Sequence, residues 1–162
     1  MPKRTDYISR DEYFMWIALL SAQRSKDPST QVGACIVGQD RRILGIGYNG
    51  FPRGCEDDKF PWDSEWSLLD KKNTYVVHAE ANAILNTGSN NITGATIYIS
   101  YFPCNECAKI IIQSWINHIV YLSDAKAEKW TYQASKRMLD AAWVSYEQLH
   151  TTKSEITISF DQ

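Results

Sequence analysis

The chain of 162 residues has no run of 18 uninterrupted apolar residues, so nothing in it reads as a membrane-spanning helix. Its four cysteines are too few and too unevenly spaced for a disulfide scaffold. A basic excess is missing as well. The formal charge of −2 gives no support for a polynucleotide partner, which usually selects a strongly basic surface. The opening Met-Pro-Lys-Arg-Thr-Asp leads into a polar helix signal without the apolar core of a signal peptide. Together these absences make the cytoplasm the expected compartment, with neither membrane nor nucleic acid as partner. Cytoplasmic thiols stay reduced and free to bind metal. Repeats and low-complexity tracts are also lacking.

What remains is an ordinary globular composition, 44% hydrophobic and 22% charged. A chain of this length buries roughly 70% of its unfolded surface and needs no disulfides to fold. One domain is expected over 1–162, with a core of about 9–150 and a tail at 151–162.

Ser9-Arg10-Asp11-Glu12 reads as a capping box opening a helix that stops before Pro28. Gln31–Val37 and Arg42–Tyr48 are β-rich runs joined by Gly38-Gln39-Asp40-Arg41, and predict a hairpin. Residues 49–77 form a long irregular stretch of the kind that is usually functional or disordered. Beyond it the pattern predicts a helix at His78–Asn86, a strand at Ala95–Ser100, a helix at Cys104–Ser114 and a strand at His118–Leu122. A helix at Ser135–Ala142 and a strand at Val144–Leu149 follow. Ile156, Ile158 and Phe160 alternate in the tail, as an edge strand or a docking segment would. The fold class is therefore α/β, with helices packed over a mixed five-stranded sheet.

The chemistry concentrates in His78-Ala79-Glu80 and in Pro103-Cys104-Asn105-Glu106-Cys107. Pro-Cys-x-x-Cys after a strand puts both thiols in a first helical turn, where the dipole and free N–H groups favour thiolate. Residues three apart share a helix face, so Cys104 and Cys107 can grip one ion. With a neutral imidazole from His78 they balance a divalent zinc and leave a fourth tetrahedral position open, as catalytic zinc sites do. His78 and Glu80 can reach one site only if His78 stands where the helix begins. Glu80 is then an acid/base rather than a ligand. Taken alone, Cys-x-x-Cys also fits a thioredoxin-like redox pair, and a structural zinc would need a fourth ligand that the sequence does not offer nearby. Taken together, the two motifs match the signature of zinc-dependent base deaminases.

The chain resembles the deoxycytidylate (dCMP) deaminases of the cytidine deaminase superfamily over about residues 9–150. Leu20-Ser21-Ala22-Gln23-Arg24-Ser25-Lys26-Asp27-Pro28, Gln31–Val37, Gly45-Ile46-Gly47-Tyr48-Asn49-Gly50, His78–Ile84 and Phe102–Lys109 carry the resemblance. It implies a three-layer α-β-α fold, a homohexamer, and hydrolysis of dCMP to dUMP with zinc on His78, Cys104 and Cys107 and catalysis by Glu80. It further implies activation by dCTP with Mg2+ and inhibition by dTTP, through Tyr48, Gly50, Arg53 and Gly54. Asn49 matches the asparagine that holds the sugar. Ala79 and Phe102 are expected against the base, Phe102 as a stacking surface, and Arg24 and Lys26 against the phosphate.

Two departures stand out. Trp115 occupies a position that is usually small in the family, often Gly. Ala125-Lys126-Ala127 follows Ser123-Asp124, where a tyrosine near the active site is common. The rival readings are a bifunctional dCMP/dCTP deaminase, a catalytically silent nucleotide-binding relative, and a thiol oxidoreductase.

Overall fold

The computed structural model describes residues 1–64 and 67–159. Helix α1 (Arg10–Ala22) is followed by strands β1 (Gly33–Val37) and β2 (Ile43–Tyr48), then by helix α2 (Ala79–Leu85) and β3 (Thr96–Tyr101). Helix α3 (Asn105–Gln113), β4 (His118–Ser123), α4 (Trp130–Ala141) and β5 (Ser145–Gln148) complete the order. The sheet runs β2-β1-β3-β4-β5. Its first two pairings are antiparallel and its last two parallel, as a hairpin feeding two helical crossovers requires. Among the described residues no helix is long and apolar enough to cross a membrane.

Period-2 alternation splits the central strands between two cores. Cys35, Val37, Tyr98 and Val120 face α1 and meet Phe14, Met15 and Ala18. Ala34, Ile36, Ile97, Ile99 and Ile119 face the other way and pack with Ala83, Ala108, Ile111 and Leu139 of the remaining helices. Both faces are covered, which is why these strands read as nearly continuous apolar runs. The result is the expected α-β-α sandwich.

Glycines set the spacing on each side. A Cβ at Gly33 would lie 1.8 Å from the Ala18 carbonyl oxygen, and one at Gly47 only 2.2 Å from the Ala83 nitrogen. Close approach at Gly47 lets α2 lie directly on β2, and so fixes the height of the residues that α2 presents. Trp115 and Trp143 sit just past α3 and α4 at φ 60° and 58°, the left-handed conformation that glycine usually supplies after a helix. The position where the resemblance leads one to expect a small residue thus carries a backbone requirement that Trp115 meets with strain, its ring exposed.

Two expectations change. Helix α4 begins at Trp130, five residues before Ser135, because Lys129 opens it without any side-chain cap that the sequence could have signalled. The tail forms no strand among its described residues, and Phe160 lies outside them. It docks on α1 instead. Ile156 and Ile158 line a groove with Tyr13, Trp16 and Leu20. Glu12 anchors it: Oε2 accepts the Ser9 N–H at 2.8 Å to close the capping box, while Oε1 accepts the N–H and hydroxyl of Thr152 at 2.8 and 2.7 Å.

Those bonds, first the Thr152 hydroxyl and then the Ser9 amide, hold the Glu12 carboxyl down at about 2. A carboxylate depressed on folding stabilises fully above its ordinary range, and that contribution fades as pH falls towards the depressed value. Tail docking is therefore expected to hold at neutral pH and to loosen progressively below about pH 4. Amide exchange at Thr152, corrected for its intrinsic pH dependence, should lose protection across that window. Constant protection from pH 6 to pH 2 would show that Glu12 does not anchor the tail.

Candidate metal centre and cavity

His78 is the N-cap of α2, with extended φ −72° and ψ 156°, so its ring leaves the helix axis while Glu80 lies in the first turn. Cys104 is the N-cap of α3, at φ −73° and ψ 172°, and Cys107 stands three residues on, on the buried side. An N-cap residue and the third helical residue naturally face each other, the same relation a capping box exploits. His78 Nδ1 lies 3.2 Å from Cys107 Sγ and 3.5 Å from Cys104 Sγ. All three donor atoms fall within 4.8 Å of one another. Tetrahedral zinc with ordinary Zn–N and Zn–S bonds separates such donors by about 3.5–3.8 Å. The cluster therefore fits zinc, with room on its open side for a fourth ligand.

The three groups perturb one another strongly. A hydrogen bond from the Cys107 thiol, opposed by burial and helped by His78, takes Cys104 down to about 4. Its thiolate in turn lifts His78 to about 9 and, with burial, drives Cys107 well up. A divalent ion displaces the protons of such ligands. Glu80 is 5% exposed beside this cluster. Burial raises its carboxyl, and the His78 charge only partly opposes that.

A cavity opens beside the cluster, and Glu80, Ala79, Phe102 and Tyr132 line it. The same lining includes a polar set: Asp27, Thr30, Asn49, Lys72, Asn73 and Lys126. Asn49 accepts the Val32 N–H at 2.8 Å and donates to the Thr30 carbonyl at 3.0 Å and to Asp27 Oδ2 at 3.3 Å. Both amide hydrogens are used, and Oδ1 keeps a second lone pair beyond the Val32 bond. Lys72 Nζ sits 2.5 Å from Asp27 Oδ1, and both side chains are buried. Burial pushes Asp27 up, but Lys72 and the Ser29 and Thr30 amides outweigh it and hold the carboxyl below its ordinary value.

The other sequence candidates scatter. Ala79 is fully buried at the start of α2, where first-turn N–H groups lack helical partners. Phe102 borders the cavity but is only 2% exposed, gripped edge-on by Tyr121 and Tyr146, so core packing takes most of its ring. Arg24 and Lys26 are exposed and line none of the cavity; Lys26 pairs with Asp57 across the surface. Their neighbours turn inward instead. The Ser25 hydroxyl donates to the Asn49 carbonyl at 2.9 Å, and Asp27 joins the buried pair. Tyr48 ends β2, Gly50, Arg53 and Gly54 lie in the turn after it, and none of the four borders the cavity.

Sequence reading missed Lys72 and Tyr132, and marked Lys126 only as part of a departure from the family pattern; Lys72 starts a short 3-10 helix, Lys126 lies in the turn before α4 and Tyr132 in the first turn of that helix. The long 49–77 stretch is folded down by rings: Phe51 lies 4.2 Å from Trp62 and 5.5 Å from Phe60, and Phe60 lies 5.1 Å from Tyr75. A two-bond bridge between Gly50 and Val77 closes it next to His78.

Residues 8–123 match the model of the cytidine and deoxycytidylate deaminase zinc-binding region. A probable deoxycytidylate deaminase of Drosophila melanogaster is 56% identical over 165 residues, spanning 98% of this chain and 81% of that protein. The deoxycytidylate deaminase of Homo sapiens is 48% identical over 160 residues, with 98% and 90% covered. The apo crystal structure of dCMP deaminase from cyanophage S-TIM5 superposes with a TM-score of 0.68 at 26% identity, covering 86% of this chain and 96% of that one. The same phage enzyme has been crystallised in complex with dCMP and dUMP. With an N/S cluster at two helix starts and these similarities over nearly its whole length, the chain belongs to the cytidine and deoxycytidylate deaminase family.

Proposed function

We propose that the chain hydrolyses dCMP to dUMP and ammonia, with zinc on His78, Cys104 and Cys107 and with Glu80 carrying the protons. The observation behind this reading is a catalytic-type three-ligand cluster with a buried carboxylate beside it, opening on a cavity lined by further polar groups. Bound zinc supplies Lewis-acid activation of the attacking water at neutral pH. The Glu80 carboxylate takes a proton from that water, passes it to ring N3, and delivers the second to the departing amine as the C4–N bond breaks. The first-turn N–H of Ala79 binds the base carbonyl, Tyr132 walls the base, and the free lone pair of Asn49 Oδ1 meets a deoxyribose hydroxyl. Phe102 backs the cavity from the core.

Zinc-loaded protein should form dUMP and ammonia in equal amounts from dCMP, faster than from dCTP or deoxycytidine. Loaded protein that leaves dCMP intact overturns the reading.

We further assign dCTP activation with Mg2+, and dTTP inhibition, to the turn Tyr48–Gly54 within a cytoplasmic homohexamer. Gly54 at φ 90° and an exposed Arg53 suit a turn that wraps phosphates. Asn49 belongs to the same turn and to the cavity, so a shift there reaches substrate directly. Sedimentation should show one large species, and dCTP should turn a sigmoidal dCMP curve hyperbolic. A monomer indifferent to both triphosphates rejects this assignment.

A further inference from the structure

Two lysines line the cavity, and their charges stand differently. Lys72 is neutralised by Asp27, and that buried pair also braces Asn49. Lys126 lies in the turn between β4 and α4, half-buried, and forms no ion pair among the described residues. Its ammonium meets the face of Tyr101, 5.2 Å from the ring centroid. Burial, Lys129 and Lys72 all disfavour the charge on Lys126, while Asp27, already paired, compensates it only from a distance. An uncompensated cation beside a polar cavity is relieved by an anion entering that cavity. The position suits one: Lys126 follows the carboxyl end of a parallel strand, the side on which open α/β sheets bind ligands.

We propose that Lys126 is the specificity-determining residue for the phosphate, its ammonium pairing with the 5′-phosphate of a nucleoside monophosphate whose base lies against the metal cluster. This rests on the deaminase reading above for the orientation of the base. Lys72 is then the floor of the subsite. It stays tied to Asp27 and holds the sugar-side network, while Lys126 supplies the mobile, unshared charge. Arg24 and Lys26 lie outside the cavity and take no part.

Steady-state rates with dCMP and deoxycytidine on wild type, Lys126→Ala, Lys126→Arg and Lys3→Ala test the proposal. Lys3, exposed and outside the cavity, controls for a general loss of positive charge. Lys126→Ala should lower kcat/KM for dCMP about 10- to 100-fold, mainly through KM, the range expected for one charge-assisted hydrogen bond. For deoxycytidine the change should stay within about twofold, a small fraction of that loss. Lys126→Arg should recover most of the dCMP loss, and Lys3→Ala should leave both substrates close to wild type. Calorimetry with dUMP and deoxyuridine reads the same contact without turnover, and only dUMP should weaken in Lys126→Ala. Equal losses on phosphorylated and unphosphorylated ligands, or no loss on either, overturn the role of Lys126. Failure of the wild type to turn over dCMP overturns the deaminase reading instead, and the dUMP titration then decides Lys126 by itself.

Discussion

Glu80→Gln is expected to cut kcat for dCMP by about 10²–10⁴-fold while zinc stays near one per chain. The substitution keeps shape and removes the group's ability to take up and release a proton. Glu80 is buried in the first turn of α2, and a glutamine of nearly equal volume fills the same space without opening a cavity. The metal ligands come from the cap of α2 and from α3, so their geometry does not depend on the charge of Glu80. The chemistry does. In the proposed reaction one carboxylate accepts a proton from water and gives protons at two different atoms, and an amide can do neither. KM should move much less than kcat, because Glu80 is not among the groups proposed to hold sugar and phosphate. Metal analysis alongside rapid-quench turnover separates this from misfolding. A variant turning over within a few-fold of wild type, zinc retained, would mean that another group moves the proton.

The part of the site that the sequence discloses is the part built from local rules. His78 as an N-cap, Cys104 as the next N-cap and Cys107 one turn inward follow from short motifs read against helix-start geometry. The capping box at Ser9 was legible for the same reason, since donor and acceptor lie three residues apart. The sandwich was legible because its strands carry apolar residues for two cores.

Long-range chemistry left no such trace. Lys72 reaches the cavity from the 49–77 stretch, while Lys126 and Tyr132 reach it from the turn before α4 and from the first turn of that helix, and neither Lys72 nor Tyr132 belongs to a short motif. Charge was also misleading at 24–27. Arg24 and Lys26 drew attention as phosphate candidates, yet the chain there turns Ser25 and Asp27 inward, and a buried Asp with a buried Lys holds the loop. The alternation of Ile156 and Ile158 fitted either an edge strand or a docking segment, and the tail takes the second course: both residues border a groove with Tyr13, Trp16 and Leu20 of α1, Ile158 staying largely exposed. Periodicity shows that a segment has an apolar side, and only the assembled fold decides what that side meets.

Cys107→Ala should abolish metal binding and, with it, activity and a measurable share of stability. Cys107 is 2% exposed, its sulfur 3.2 Å from the His78 ring, and it is the ligand most deeply set in α3. Its loss leaves one thiolate and one imidazole, a donor set that balances a divalent charge poorly and cannot close a three-point grip. Because zinc binds the folded chain, its affinity adds to folding free energy: about 4 kcal/mol when free zinc stands about 1,000-fold above its Kd. The variant should therefore unfold at lower urea and show no response to a chelator. Wild type should fall towards the same midpoint once zinc is stripped. Some of the loss will come from the small cavity left by the sulfur, and Cys107→Ser, which restores volume without a good zinc ligand, accounts for it. If the serine variant recovers the midpoint but not the metal, packing rather than zinc carries the stability. The opposite outcome, a low midpoint in both variants that added zinc cannot raise, is the one that ties the fold around α2 and α3 to the ion. Stoichiometric zinc in Cys107→Ala would remove Cys107 from the ligand set altogether.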